Sequence, residues 1–250
     1  MTSQRPDRLQ INPVIEALCE LRFDSEESSS LPELVVSRLA DAPGWSSGQM
    51  TRLPLAEFPP QIREQDPNLR DQPTLEVRLP GSPEFAVKIG PRVVSYHCLG
   101  NYPGWNALRP GISGMIEQLF KSVKSARVRR VGLRYINLLS FEHGVESVAD
   151  LDCDVMVGGS ALTHALNLNY QKHGETFSSM VRIATPEFVQ TAVNRSYSAL
   201  IDIDVFNRDH VSFSSPANIL DYVEQGHNFE KDRFFELMPD SVVAKMNEKV

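Results

Sequence analysis

The stretch that most constrains this chain is Arg127–Phe141, RVRRVGLRYINLLSF. It is rich in Val, Leu, Ile, Tyr and Phe, holds one glycine and no proline, and so predicts a long strand rather than a helix. Alternation puts Val131, Leu133, Tyr135, Leu139 and Phe141 on one face and Arg130, Arg134, Ile136 and Leu138 on the other. Apolar side chains on both faces predict a position in mid-sheet, covered over part of each side. The strand lies near the middle of 250 residues, and the order of elements before it resembles the order after it.

Asn12-Pro13 opens a first strand, Val14–Phe23, in which Ile15, Ala17, Cys19, Leu21 and Phe23 alternate with polar residues. Met1–Gln10 before it is a polar lead-in. Asp24–Ser30 is expected as a turn, with Ser30 capping a short helix through Leu39. Asp41–Pro73, with its dense prolines, is expected as a long ordered loop. Strands at Thr74–Leu79, Glu84–Ile89 and Arg92–Leu99 follow, divided by Pro80–Pro83 and Gly90-Pro91. A helix from about Trp105 to Lys124 carries an apolar stripe, with Pro110 tolerable only near its start.

After the central strand, Val145–Ser160 has no clear pattern. Ala161–Gln171 and Thr176–Thr185 pair as a hairpin, and Tyr197–Phe206 adds a third strand. Ser215-Pro216 starts a helix reaching about Leu237, with Ile219, Leu220, Val223, His227, Phe234 and Phe235 facing inward. The fold class is therefore α+β. Two halves, 1–125 and 126–250, each read strand, crossover, three strands and helix, and share one core. Antiparallel sheet with long helices on one face resembles helix-grip and TATA-binding-protein-like layouts, and more loosely the SecB-type chaperones. Joining the two sheets edge to edge would remove two exposed edges.

Composition narrows the class of function. The net charge of −7 disfavours a general nucleic-acid or anionic-membrane surface, while allowing a local basic patch. Three widely spaced cysteines, Cys19, Cys98 and Cys153, suit reduced thiols in a cytoplasmic protein. The first residues hold no apolar secretory core, and no run approaches the length of a membrane span.

Several stretches carry a family resemblance. NPVIEALCELRF at Asn12–Phe23, FAVKIGPRVVSYHCLGNYPGW at Phe85–Trp105 and RRVGLRYINLL at Arg129–Leu139 resemble a sporadically distributed prokaryotic family of about this length. Gly226–Met246 fits that family's C-terminal helix. YPGW and GLRYIN are the specific parts. The resemblance implies no activity and no catalytic residues to carry over. The family's patchy distribution implies defence, toxin–antitoxin or other mobile-element neighbourhoods.

Each chemical candidate has a plainer alternative. Arg129, Arg130 and Arg134, with Arg127, Lys121 and Lys124 nearby, are a candidate phosphate or RNA patch; the alternative is internal ion pairing and a basic helix end. Arg134 and Asn137 lie mid-strand, and Arg134 calls for a carboxylate, with Glu16 or Glu20 as candidates. Asp202 and Asp204 share a strand face that could hold magnesium, though such pairs are commonly just solvated. Asp150, Asp152 and Asp154 lack the glycine and glutamate of a calcium loop. His97-Cys98 point to opposite faces and cannot form a dyad. His164 and His173 lack further ligands at metal spacing, and His227 reads as a core histidine. Tyr102, Trp105 and Trp45 suggest an aromatic pocket, or else simple closure of the core.

No nucleotide-binding, serine-hydrolase or zinc-protease motif is present. The sequence thus predicts a non-enzymatic protein-interaction module, such as an antitoxin, immunity or chaperone-like factor, with a protein partner encoded nearby. No catalytic residues, metal or cofactor are assigned, and the oligomeric state is left open. The binding candidates are Arg129, Arg130, Arg134, Asn137, Tyr102 and Trp105. The alternative is an RNA-binding or metal-dependent nucleic-acid-processing protein using the central arginines.

Overall fold

The computed structural model describes residues 9–30, 32–82, 84–189, 196–208 and 211–248. Most of the polar lead-in, residues 1–8, lies outside them. The central stretch forms strand β6, Arg127–Leu139, in a nine-stranded sheet. In chain order the other strands of this sheet are β1 (Val14–Asp24), β2 (Gln49–Arg52), β3 (Leu75–Arg78), β4 (Phe85–Gly90) and β5 (Val93–Leu99), then β9 (Asn167–His173), β10 (Phe177–Ala184) and β11 (Ala199–Asn207). Between them, β7 (Met156–Val157) and β8 (Ser160–Ala161) make a small exposed hairpin of their own. The order across the large sheet is β2-β3-β4-β5-β1-β6-β11-β10-β9, with every neighbouring pair antiparallel. The protein is α+β.

Helices α2 (Pro32–Ala40), α4 (Trp105–Ser122) and α5 (Pro216–Phe235) supply their apolar stripes to one face. A core of β1, β4, β5 and β6 side chains meets Val35, Leu39, Leu108, Ile112, Ile116 and Ile219 of these helices. A second cluster joins β10 and β11 to the end of α5 and to α6 (Asp240–Met246). Tyr222 of α5 packs against both clusters. A helix of the second half therefore completes the core of the first.

Two bulges refine the expected alternation along β1 and β6. An extra residue at Ile15 turns it to the opposite face, where it joins Leu138, Ala184 and Leu200, and Val14 takes its place at the core. An extra residue at Arg129 brings Val128 onto the same buried face as Val131. Phe141, expected inside, lies past the strand end and is 71% exposed.

Asp24–Ser30 is not a simple turn: α1, Glu26–Ser30, forms there, and Ser25 and Ser28 exchange side-chain to backbone hydrogen bonds at its start. The segment 41–73 contains β2, a short 3-10 helix at Pro54–Glu57 and α3 (Pro60–Gln65), with prolines at first-turn positions where no N–H is needed. Within 145–160 a short 3-10 turn forms at Val148–Asp150. Pro110 sits inside a helix that is regular from Trp105. Among the described residues no helix is long and apolar enough to cross a membrane.

Candidate functional site

The sheet gathers polar and aromatic side chains in two places, one on each face. On the face away from α4 and α5, the central arginines lie among carboxylates from neighbouring strands. Arg134 grips Asp202 with two bonds, Nε–Oδ1 at 2.7 Å and Nη2–Oδ2 at 2.6 Å. The hydrogen bond to Asp202 holds the guanidinium firmly protonated against the effect of burial. Arg130 bridges Glu20 at 3.0 Å and Asp204 at 2.7 Å and lies 4.8 Å over the Phe206 ring. Gly132 makes room for it, because a Cβ there would sit 2.2 Å from Arg130 Nη1. Arg129, on its bulge, bonds Asp71 and Asp24. Asn137, by contrast, lies on the core face of β6 with Tyr135 and Leu139, where it is buried and donates to the Ile201 carbonyl at 3.2 Å.

The expected Glu16 or Glu20 partner for Arg134 is thus replaced by Asp202. A strand's own alternation cannot say which neighbour lies across the ladder. Burial raises the Asp204 carboxyl, with Glu20 adding to this and Arg130 and Arg134 opposing it.

Glu16 is engaged elsewhere on this face. His97 Nδ1 lies 2.8 Å from Glu16 Oε1, and His97 Nε2 lies 2.8 Å from Ser95 Oγ. Burial lowers the pKa of His97, so the ring is neutral at pH 7. Burial raises the Glu16 carboxyl, but the His97 hydrogen bond and nearby positive charges outweigh it and hold it below its usual value. Ser95, His97 and Glu16 line a polar trough of about 300 Å³ with Lys88, Arg130 and Arg134. The spacing Ser-x-His on one strand face was the available sequence signal, and only the β1–β5 register adds Glu16.

The second place lies under α5, on the core side. Tyr102 precedes α4, Trp105 is its first residue, Tyr135 comes from β6, and His227 and Glu230 come from α5. Together with Asn12, Pro13 and Val14 they line a cavity of about 100 Å³. Residues of Asn12–Phe23, Phe85–Trp105, Arg129–Leu139 and Gly226–Met246 meet here. Trp45, grouped with Tyr102 and Trp105 in sequence, sits instead in the main core.

The rings are held by specific contacts. Trp105 stacks on His227 with centroids 4.1 Å apart and planes 9° from parallel. The Trp105 indole donates to Glu224 at 3.1 Å, and Arg109 holds the other carboxylate oxygen at 2.7 Å. The Tyr135 hydroxyl lies 3.1 Å from His227 Nδ1 and 3.5 Å from the Tyr102 hydroxyl. Asn12 braces the corner by donating to the Tyr102 carbonyl at 3.3 Å. Burial, reinforced by Lys231 and partly offset by Glu224, pushes His227 down to about 4.

Glu230 is the residue that sequence reasoning missed. It is 5% exposed, on the inward face of α5 between His227 and Phe234, and has no hydrogen bond or ion pair among the described residues. Burial alone pushes its carboxyl up to about 8. The signal was its spacing, three residues after His227 and four before Phe234, on the stripe expected to be apolar.

Elsewhere, the Asp150 carboxylate accepts the Glu146 and Ser147 backbone N–H groups and acts as a local cap. Among the described residues no group of three or more His, Cys, Asp or Glu side chains is arranged to hold a metal ion. No family model matches the chain, and no curated protein is significantly similar to it.

Proposed function

We propose that this chain is a non-enzymatic interaction module that docks a partner protein on the face of its sheet opposite α4 and α5. The observation that carries the reading is the state of that face: its charged side chains are already paired with one another, while α2, α4 and α5 pack on the other side. Paired arginines are poorly placed to take up phosphates, which disfavours the RNA reading. Ordered charge pairs around exposed Met180 offer a partner fixed donors and acceptors at little extra ordering cost. The excess negative charge favours a basic partner.

In this reading the two halves are a topological pseudo-repeat in a helix-grip or TATA-binding-protein-like layout. The role is that of an antitoxin, immunity or chaperone-like subunit in the cytoplasm, in keeping with the family resemblance. The test is affinity purification from the native host with Met180→Asp plus Lys88→Glu, and with Arg109→Ala on the helix side. A stoichiometric partner lost only with the first variant supports the reading. Equal retention by both variants refutes it.

A second reading, hydrolysis, is favoured by Ser95, His97 and Glu16, whose bonding order matches that of a nucleophile, base and orienting carboxylate. Against it, Ser95 is buried and has the Glu20 carboxylate directly across the ladder, where a developing oxyanion would be repelled. Labelling by a fluorophosphonate that disappears in Ser95→Ala would establish this reading in place of the first.

A further inference from the structure

We propose that the cavity lined by Tyr102, Trp105, Tyr135, His227 and Glu230 is a binding site for a small organic monocation, an alkylammonium or quaternary ammonium group, with Glu230 as its counter-charge. The proposal concerns the opposite side of the sheet from the docking face and is independent of it.

The starting point is the isolation of Glu230. A carboxyl group buried without hydrogen bonds is costly, and its neighbours on the inward stripe of α5, Val223, Gly226 and Phe234, are apolar. What Glu230 contributes is a latent negative charge at the wall of a cavity. The other walls suit a cation. Tyr102 and Tyr135 meet edge to face with centroids 5.7 Å apart, and Trp105, Phe234 and Phe235 also contribute rings. Aromatic faces attract ammonium groups, most strongly where water is excluded. A volume of about 100 Å³ limits the occupant to a headgroup of a few heavy atoms.

The remaining ionisable groups around the cavity are compatible with this. His227 on α5 is neutral at pH 7. The Tyr102 and Tyr135 phenols, and the Cys19 and Cys98 thiols behind them, are pushed upward by burial and are also uncharged. Glu224 is committed to Trp105 and Arg109. Among the described residues, Lys231, half-buried, is the other charged side chain lining the cavity.

Burial keeps Glu230 protonated when the cavity holds no cation, with its carboxyl raised to about 8. An entering ammonium group stabilises the carboxylate, and the carboxyl proton leaves to solvent. At pH 7 the group starts mostly protonated, so binding should release a proton to the buffer.

The experiment is a calorimetric titration of the full chain at pH 7 with tetramethylammonium and n-propylammonium, against tert-butanol and n-propanol as neutral counterparts. It is repeated in buffers of different ionisation enthalpy and followed in parallel by tryptophan fluorescence. The expected result is ammonium binding about tenfold or more tighter than the alcohols, with proton release, and a loss of about tenfold or more in Glu230→Gln. Absence of ammonium binding, alcohols binding equally well, or unchanged cation affinity in Glu230→Gln would overturn the proposal. If that variant does not fold, the wild-type buffer dependence decides: cation binding without proton release overturns the assignment.

Discussion

At the scale of single residues, two buried acids show how environment sets behaviour. Asp202 is buried but held by Arg134, whereas Glu230 is buried with no partner among the described residues. Arg134→Ala leaves a carboxylate without its partner. The loss should be about 2 kcal/mol by denaturant unfolding, below the ~3–5 kcal/mol typical of fully buried pairs, because Arg134 is 44% exposed and water screens the pair. Glu230 gives a pH signature. Its folded pKa is raised, so its contribution is fully present below the unfolded value of about 4.5 and is lost as pH rises through about 8. His227 runs the other way: its folded pKa is lowered, and stability falls as pH drops from about 6.5 toward 4. Between pH 6.5 and 8 only the Glu230 slope remains from this pair. Glu230→Gln should therefore flatten the fall in melting temperature over that window and gain more at pH 8 than at pH 5. An unchanged slope would mean that Glu230 ionises freely in the native protein.

At the scale of elements, close approach of helix and sheet decides more than propensity. Gly111 of α4 faces Tyr96 of β5 so closely that a Cβ would sit 2.1 Å from the ring. Alanine is favoured over glycine by about 1 kcal/mol in a free helix. Here Gly111→Ala should nevertheless destabilise the protein by about 1–3 kcal/mol in thermal or chemical unfolding, because Tyr96, stacked on Phe85, has to give way.

This is also the scale at which the sequence is most legible. The alternation of β1, β6 and β11, the turn signals around β3, β4 and β5, and the Ser215-Pro216 start of α5 all express local periodicity or capping. The bulges at Ile15 and Arg129 were not legible, since one inserted residue leaves composition unchanged while reversing the faces beyond it. Pairings across strands were equally hidden. Arg134 announces a need for a carboxylate, but only the sheet register selects Asp202 over Glu16 and Glu20. Tyr102 and Trp105 were legible as a corner, whereas Glu230 was masked by the stripe around it.

At the scale of the whole molecule, β1 and β6 form the seam between the two halves. Their ladder runs from Val14 opposite Asn137 to Asp24 opposite Arg127. Val131, Leu133 and Tyr135 of β6 are packed in one cluster with the side chains of β1, β4 and β5. A fragment ending at Ser125 would lose this strand together with Ile219 and Val223 of α5. It should be molten or insoluble, and the intact chain should unfold in one transition. A sharp, independent melt of residues 1–125 would refute that.

The placement of Cys19 turns the seam into a reporter of its own opening. Its thiol is fully buried on β1 opposite Leu133, and burial holds it far from the reactive thiolate form. Cys98 is buried on the adjacent β5, while Cys153 is partly exposed. An alkylating reagent should therefore mark Cys153 first. The slow modification of Cys19 that follows would time how often the ladder between β1 and β6 opens, with a native residue serving as the probe.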